Sequence, residues 1–484
     1  MVGIVSFRTS AKSESKTCLP AGRENCLLFT TKGGAIELLK SPLSVQLEVT
    51  DACNYKCPHC YHLDNSCQFS STVPTSRGRA AALGDNKLRI IADKIFDAEI
   101  FSLILTGGEP FLRPRICVEL VAEASSRNIL SSINTNLSLL KLETLAQLID
   151  AGLSSMLVSC PSTDPDVYSQ MTGGGKLKQF EDKLNLLKTS DIRFTINMVV
   201  NKVNLRQIRQ TAQDMADKGI SSFAATPMSY NPASPLFELA LSREEVSHLA
   251  DDLVLMGDEL GIKVDLAEAL PKCLFSDMVI ARRPSFIRRQ CQAGRTTMSV
   301  GCDGSVRPCS HNQDKYGNLA TESICDVWAR MESWRNKDFI PPKCGQCAML
   351  SSCLGGCRVN AKTSSGNYQG EEPWSADSLE EKFPIFTTIL TPIKYNTMFV
   401  FANSLRWRME TEDVALVCTR TPVNTTAVSK ELLEFIRSLN NILPMTFGEI
   451  AETFGFPAND PKYLGIMQRL EAKEFIFRSN TERR

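Results

Sequence analysis

The sequence has little histidine, no net charge and no long apolar run. Four of its 484 residues are histidine, whereas 18 are cysteine. Lys and Arg together number 54, as do Asp and Glu, so no global field draws the chain toward nucleic acid or acidic membranes. The opening stretch, MVGIVSFRTSAKSESK, contains no apolar run suited to a signal peptide, and no window of about 20 apolar residues offers a membrane span. These absences predict a cytoplasmic enzyme that binds neither nucleic acid nor a membrane.

The cysteines are numerous enough to need a chemical explanation. A protein held together by disulfides is normally short and exported, but this chain has a mass of 53.6 kDa. In a reducing compartment, clustered cysteines usually bind metal. Because histidine is scarce, all-thiolate iron–sulfur clusters are favoured over mixed Cys/His zinc sites.

From residue 44 onward, strand-like and helix-like segments alternate. Six strands are predicted at SVQLEVT, SLILTGG, LSSINTN, SSMLVSC, RFTINMVV and SSFAATPM, separated by amphipathic helices. This alternation implies right-handed crossovers and a parallel sheet. Residues 44–230 are therefore predicted to form an α/β fold, a partial (β/α)6 barrel. Active-site groups are expected on loops at the carboxyl ends of its strands.

The flanking segments differ from the barrel in composition. Residues 1–43 are predicted to be an N-terminal appendage, and residues 231–270 a helical connection. Nine cysteines fall within the 85 residues from Cys273 to Cys357, which predicts a separate cysteine-rich domain over residues 271–382. Strand-like runs followed by three helices predict a small winged-helix domain over residues 393–484.

Three closely spaced cysteines follow the first predicted strand. Cys53, Cys57 and Cys60 can hold three corners of a cubane cluster and leave one iron open to a small molecule. A zinc site completed by His59 or His62 is the alternative. The motif Cys-x3-Cys-x2-Cys, in which His59 is the ring before the last cysteine, resembles the signature of the radical S-adenosylmethionine (SAM) superfamily.

The resemblance implies a catalytic [4Fe–4S] cluster whose open iron binds the amine and carboxylate of SAM. One-electron reduction, from a donor such as flavodoxin or ferredoxin, then yields a 5′-deoxyadenosyl radical. Glycines are expected to let the backbone approach the cofactor, and Glu109 to accept a hydrogen bond from its ammonium. The cofactor contacts implied by the family are His59, Gly107, Gly108, Glu109, Pro110, Asn134, Asn136 and Ser159.

Two residues at the strand ends depart from the family pattern. Leu137 follows Asn136 where the family often has glycine, which leaves the local turn undetermined. Cys160 ends the fourth strand where the family usually has an aliphatic residue. A buried cysteine is ordinarily a small core residue. The alternative is a catalytic thiol that faces the barrel interior and donates a hydrogen atom to a substrate radical.

The second group of cysteines resembles the auxiliary-cluster region called SPASM, with two zinc ribbons as the alternative. The pattern is Cys291, Gly304-x4-Cys309, then Cys344-x2-Cys347-x5-Cys353-x3-Cys357. The resemblance implies two auxiliary iron–sulfur clusters. It assigns to the first cluster Cys291, Cys309 and Cys357, with Cys273 as the expected fourth ligand. It assigns to the second cluster Cys344, Cys347 and Cys353.

The second auxiliary cluster lacks a cysteine at the family's usual last position. No cysteine occurs between Cys357 and Cys418. Its fourth ligand is therefore expected to be Asp377, a solvent molecule, or Cys418 brought in by the fold.

Residues 393–484 resemble the winged-helix peptide-recognition domain of enzymes that mature ribosomally made natural products. In that family, the leader of a precursor peptide adds a strand to the sheet edge. The whole pattern predicts a radical SAM enzyme that modifies a ribosomally synthesised precursor peptide by cross-linking, epimerisation or backbone excision. A sulfatase-maturing, formylglycine-generating enzyme is one alternative, and an iron–sulfur electron carrier or DNA-binding regulator is another.

Overall fold

A computed structural model describes residues 39–61, 83–230, 237–377, 379, 392–402, 405–419 and 425–479. The predicted N-terminal appendage lies outside these residues apart from positions 39–43, and so do Cys18, Cys26 and Cys67. Within the described ranges, no helix is both long and apolar enough to cross a membrane.

One ten-stranded sheet organises the barrel and the cysteine-rich region. Seven strands run parallel in chain order, and an eighth pairs in parallel with the free side of the first. The strands are β1 (Ser44–Thr50), β2 (Ser102–Gly107), β3 (Leu130–Thr135), β4 (Ser155–Ser159), β5 (Arg193–Val200), β6 (Ser222–Pro227), β7 (Lys263–Leu266), β8 (Thr297–Val300), β9 (Ser305–Arg307) and β10 (Gly317–Asn318). Their spatial order is β10-β9-β8-β1-β2-β3-β4-β5-β6-β7. All six predicted strands are present, and β7 is an additional one within the predicted helical connection.

Helices link successive strands and bury one face in the barrel core. In the first of them, Leu88, Ile91, Ala92 and Ile95 are buried at helical spacing. The longest begins at a reciprocal cap between Ser242 and Glu245. The barrel helices are α1 (Asp85–Asp97), α2 (Pro114–Ser126), α3 (Leu142–Asp150), α4 (Pro165–Thr172), α5 (Leu177–Lys188), α6 (Ile208–Asp217) and α7 (Arg243–Leu260).

The cysteine-rich region extends the barrel sheet instead of standing apart from it. β8 pairs with β1, and β9 and β10 continue antiparallel. A buried ion pair joins Glu48 of β1 to Arg307 of β9. Short helices complete this region: α8 (Asp277–Arg282), α9 (Pro284–Arg288), α10 (Ile324–Ala329), α11 (Glu332–Arg335), α12 (Leu350–Cys353) and α13 (Arg358–Ser365).

Residues 392–479 contain two three-stranded sheets and three helices. The predicted strand run FVFANSLRW is divided between the two sheets. One sheet has the order β15-β11-β16 and the other β12-β13-β14. The elements are β11 (Met398–Phe401), β12 (Leu405–Met409), β13 (Val414–Thr419), β14 (Thr425–Ser429), α14 (Lys430–Ile442), β15 (Met445–Thr446), α15 (Phe447–Phe454), α16 (Pro461–Ala472) and β16 (Ile476–Arg478). Strands and helices follow the expected order, and the winged-helix identity of the region stays a prediction.

The sheet β12-β13-β14 attaches to the barrel at the amino ends of its strands. Arg406 donates to the carbonyls of Ile100 and Phe101, immediately before β2. Arg408 donates to the carbonyls of Ser41 and Pro42, shortly before β1. The cavity described below lies at the opposite, carboxyl ends of the barrel strands.

The attachment is held by a buried ion pair and an apolar face. Arg408 pairs with Glu410, and the two side chains are 0% and 1% exposed. Leu416 and Cys418 of β13 belong to the barrel core, whereas the alternate residue Val417 belongs to the C-terminal core. Cys418 is therefore committed to packing at the base of the barrel.

Candidate active site

A cavity of about 490 Å³ lies at the carboxyl ends of the parallel strands. Residues from the ends of β2 to β6 contribute to its wall, together with the loop after β1. Cysteines of both predicted groups reach it: Cys53, Cys57, Cys60, Cys291, Cys309 and Cys357. The fold thus brings the catalytic-cluster motif and part of the auxiliary motif to one space.

The loop that carries Cys53 is held by the end of β2. The N–H groups of Gly108 and Glu109 donate to the carbonyls of Thr50 and Ala52, each at 2.8 Å. A Cβ on Gly107 would lie 2.1 Å from the Thr50 oxygen, and one on Gly108 would lie 1.9 Å from the Ala52 oxygen. Both glycines line the cavity, as expected. The cysteine loop therefore imposes a steric need for glycine at both positions, and the expected approach of the cofactor to this backbone stays a prediction.

Glu109 is buried beside the cavity and does not form part of its lining. Its buried carboxylate accepts hydrogen bonds from Phe111 N at 3.0 Å, Thr135 Oγ1 at 2.7 Å and Asn136 N at 2.8 Å. Burial raises the pKa of Glu109 to about 7. Pro110 is also buried, and neither residue is part of the cavity lining. Its carboxyl group fastens the end of β3 to the end of β2, and its expected contact with the cofactor stays a prediction.

The end of β3 contacts both the cavity and the cysteine loop. Asn134 and Asn136 line the cavity, and the Asn136 Nδ2 donates to Asn54 Oδ1 at 3.0 Å and lies 3.9 Å from Cys53 Sγ. Leu137 has a φ of 67°, a left-handed conformation that usually calls for glycine. Its side chain is fully buried. Core packing therefore retains the turn that glycine makes elsewhere in the family.

His59 presents a ring nitrogen without a hydrogen-bond partner. Burial lowers the pKa of His59 to about 4, so the ring is neutral at physiological pH. Its buried Nδ1 has no partner in the part of the chain that the structure describes, and the residue lines the cavity. Since a buried polar atom normally has a partner, the wall fits a polar cofactor bound beside the three thiols.

Ser159 ends β4, and Cys160 follows it directly with its side chain on the opposite side. Ser159 lines the cavity. Cys160 is 0% exposed within the barrel core, and its thiol donates to the carbonyl of Ser162 at 3.5 Å. Successive side chains of a strand point to opposite faces. This burial favours the core interpretation of Cys160, and its role as a hydrogen-donating thiol stays a prediction.

Three auxiliary cysteines reach the cavity from separate elements. Cys291 precedes β8, Cys309 follows β9, and Cys357 begins α13. Burial, followed by the neighbouring Cys291 thiol, raises the pKa of Cys309 to about 12. Thiols this hard to ionise become thiolates when a bound cation compensates the charge. The three residues thus suit a metal cluster at the cavity wall.

An aromatic contact that sequence analysis did not single out joins the two cysteine regions. The rings of Tyr61 and His311 lie 4.4 Å apart between centroids, and both residues line the cavity. Tyr61 directly follows Cys60, and His311 lies two residues after Cys309. The closeness of these two residues to the cysteine motifs in the sequence is the signal that could have identified them.

Cys273 lies with the other auxiliary group, contrary to its expected assignment. It lines a second cavity together with Cys344, Cys347 and Cys353, and Asp377 also contributes to that wall. The reason is tertiary, because the chain after β7 turns back against the loop that carries these cysteines. Cys418 does not approach this cavity, since it is buried at the base of the barrel.

The cysteines share cavities without forming single-ion sites. Among the described residues, no three or more His, Cys, Asp or Glu side chains are grouped so that they could hold one metal ion. A zinc ion gathers thiolates at about 2.3 Å from its centre. A cubane binds its thiolates at separate corners and so spaces them more widely.

Comparison with known proteins identifies two domains in this chain. Residues 47–215 match the radical SAM superfamily, and residues 291–348 match SPASM, an iron–sulfur cluster-binding domain. The AdoMet-dependent heme synthase of Methanosarcina barkeri is 24% identical over 369 residues, which cover 70% of this chain and 97% of that protein. The PqqA peptide cyclase of Rhodopseudomonas palustris is 25% identical over 359 residues, covering 72% and 90%. Streptococcus suis SuiB bound to the precursor peptide SuiA shares the fold, with a TM-score of 0.55, 18% identity, and coverage of 70% of this chain and 76% of that one.

Proposed function

This chain belongs to the radical SAM superfamily and carries a SPASM domain, and we propose that it modifies a ribosomally synthesised precursor peptide. When bound, the [4Fe–4S] cluster and SAM supply a 5′-deoxyadenosyl radical for hydrogen abstraction. One observation carries the proposal: cysteines of the radical SAM loop and of the SPASM domain line a single cavity. The relatives named for a peptide cyclase and a precursor-peptide complex support a peptide as the substrate.

The residues of the cavity have distinct roles in this proposal. Cys53, Cys57 and Cys60 hold the catalytic cluster, and Asn134 and Ser159 offer polar contacts to the cofactor. The neutral ring of His59 supplies a further hydrogen-bonding edge.

The SPASM cysteines on the same cavity support a second cluster near the proposed substrate. Cys291, Cys309 and Cys357 lie on three separate elements, so their mutual position depends on an intact SPASM fold. We propose that they hold an auxiliary cluster in contact with the peptide. An electron donor such as flavodoxin or ferredoxin completes the system from outside the chain.

The C-terminal region is proposed to hold the leader of the peptide. β14 is an edge strand of the described sheet β12-β13-β14, and an edge strand can accept a peptide as an added strand. The opposite edge strand, β12, carries Arg406 and Arg408, which attach the sheet to the barrel. That attachment is at the barrel end away from the cavity. A leader bound there must extend over the barrel height, about 20 Å for a seven-residue strand, so at least about 6 extended residues separate it from the modified residue.

The test uses the anaerobically reconstituted full chain with SAM, dithionite and the short peptide encoded beside its gene. We expect a mass change in the peptide together with 5′-deoxyadenosine, and neither product from a Cys57→Ala variant. The Methanosarcina barkeri relative provides the competing substrate, a heme precursor. Turnover of a heme precursor with an unchanged peptide would contradict the proposal.

The leader role is tested by ending the chain at residue 391. We expect precursor binding to weaken by at least about tenfold, a loss of about 1.4 kcal/mol, while SAM cleavage without peptide continues. Continued cleavage shows that the barrel remains folded. Unchanged precursor affinity would assign the C-terminal region another role.

A further inference from the structure

The second cavity of the SPASM region supplies a complete set of four thiols. We propose that Cys273 is the fourth ligand of the second auxiliary cluster, together with Cys344, Cys347 and Cys353. The inference rests on the SPASM domain and not on the peptide substrate. The proposal places the fourth ligand upstream of the SPASM cysteine pattern, at a position that the spacing of that pattern does not predict.

The surroundings of the four sulfurs suit a cluster. Backbone N–H groups point at two of them: Ala376 N donates to Cys273 Sγ at 3.2 Å, and Lys272 N donates to Cys353 Sγ at 3.3 Å. Such bonds stabilise thiolates and tune iron–sulfur centres. The remaining lining includes the apolar residues Pro271, Pro341, Met349 and Leu350. Lys343, Glu372 and Ser375 also line this cavity, so its wall is mixed in polarity. The backbone donors at the sulfurs and the cationic side chain of Lys343 suit a negatively charged cluster.

The backbone around Cys273 is held in place by its neighbours. The buried side chain of Lys272 donates to the carbonyls of Phe286 at 3.0 Å and Arg289 at 2.5 Å, at the end of α9. The chain at Gly356 packs closely against Pro271, because a Cβ on Gly356 would lie 3.0 Å from Pro271 Cδ. Cys273 is thus clamped against the turn that follows Cys353.

The alternatives for this ligand are less well placed or less suited. Asp377 lines the same cavity, but thiolate is the usual protein ligand of iron–sulfur clusters. Cys418 packs in the barrel core at the base of the barrel. Assigning Cys273 here leaves Cys291, Cys309 and Cys357 as a three-thiol group on the active-site cavity.

The experiment counts auxiliary iron separately from catalytic iron. Full-length chain with Cys53, Cys57 and Cys60 changed to Ala is reconstituted anaerobically, and is expected to hold about 8 Fe per chain, the content of two cubanes. Iron, sulfide and the electron paramagnetic resonance spectrum after reduction are then measured for single and double variants. The variants are Cys273→Ala, Cys347→Ala, Cys291→Ala, Cys273→Ala with Cys347→Ala, and Cys273→Ala with Cys291→Ala. Controls are Asp377→Asn and Cys418→Ala.

The double variants decide which cluster Cys273 serves. We expect Cys273→Ala and Cys347→Ala each to alter or remove the same signal, because each leaves that cluster with three thiols, and the double variant to lose that signal with about half of the auxiliary iron. Cys273→Ala with Cys291→Ala should affect both signals, and the controls should retain both unchanged. The proposal is overturned if Cys273→Ala changes the signal that depends on Cys291, if it changes neither signal, or if Asp377→Asn removes the signal that depends on Cys347.

A conservative variant covers the case in which Cys273→Ala prevents folding. Cys273→Ser keeps an oxygen ligand and should shift only the signal that depends on Cys347. A shift confined to the signal that depends on Cys291 would overturn the assignment. Neither readout uses a peptide, so failure here is distinguishable from failure of the proposed function.

Discussion

The two cysteine regions differ in how far apart along the chain their members lie. Cys53, Cys57 and Cys60 belong to one loop after β1 and share one cavity. In the SPASM region, Cys353 and Cys357 are four positions apart yet line different cavities. Between them Leu354, Gly355 and Gly356 have φ values of 58°, 79° and 80°. Three successive left-handed residues reverse the chain, so nearness in sequence there no longer means a shared site.

The first prediction tests whether the two regions are independent, and it has the largest effect. Changing Cys53, Cys57 and Cys60 to Ala should abolish 5′-deoxyadenosine formation, because these three thiols line the active-site cavity and are proposed to hold the catalytic cluster. The SPASM clusters should remain, which leaves about 8 of about 12 Fe per chain. Chromatographic product analysis and anaerobic iron determination measure the two effects. Loss of the SPASM iron as well would show that the catalytic loop supports the second region.

The second prediction concerns the ion pair that connects the regions. Arg307→Met leaves the buried carboxylate of Glu48 without its cation, which should cost about 3–5 kcal/mol of unfolding free energy. The double variant Glu48→Leu with Arg307→Met should recover most of this loss, because neither buried charge remains. Anaerobic urea unfolding measures both. Equal destabilisation in the single and double variants would contradict a charge-based link between β1 and β9.

The third prediction addresses the local support of the catalytic loop. Gly108→Ala places a methyl group 1.9 Å from the Ala52 carbonyl, so the loop must shift, at about 1–3 kcal/mol. We expect slower SAM cleavage with unchanged SPASM signals in the resonance spectrum. Gly465→Ala is the matched control, since its added methyl meets nothing within 4 Å. Altered SPASM signals in Gly108→Ala would contradict the prediction that this glycine supports the catalytic loop alone.

The fourth prediction has the smallest effect. Cys160→Ala removes one buried atom from the barrel core, so unfolding free energy should fall by about 1 kcal/mol. Cofactor cleavage and the peptide product should be unchanged, including deuterium uptake from deuterated water. Loss of deuterium uptake with continued cofactor consumption would return Cys160 to the mechanism.

Much of the barrel and its catalytic loop follows from local sequence signals. Alternating strand and helix periods predict β1 to β6, because each element buries one face against its neighbours. β7 escaped prediction since it has four residues, too few to show a period. The sequence singled out the two glycines after β2 as cofactor contacts, whereas their close approach to Thr50 and Ala52 is visible in the fold alone.

The sequence by itself determined the parallel barrel, the three-cysteine loop and the presence of a SPASM region, because each depends on spacing within a short stretch of chain. Tertiary structure alone decided the partner group of Cys273, the inward or outward direction of Cys160 and the attachment of the C-terminal sheet at the amino ends of the barrel. These depend on chain reversals, on which strand face meets the core, and on contacts between residues hundreds of positions apart, such as Arg408 with Ser41. Local periodicity carries no information about such contacts.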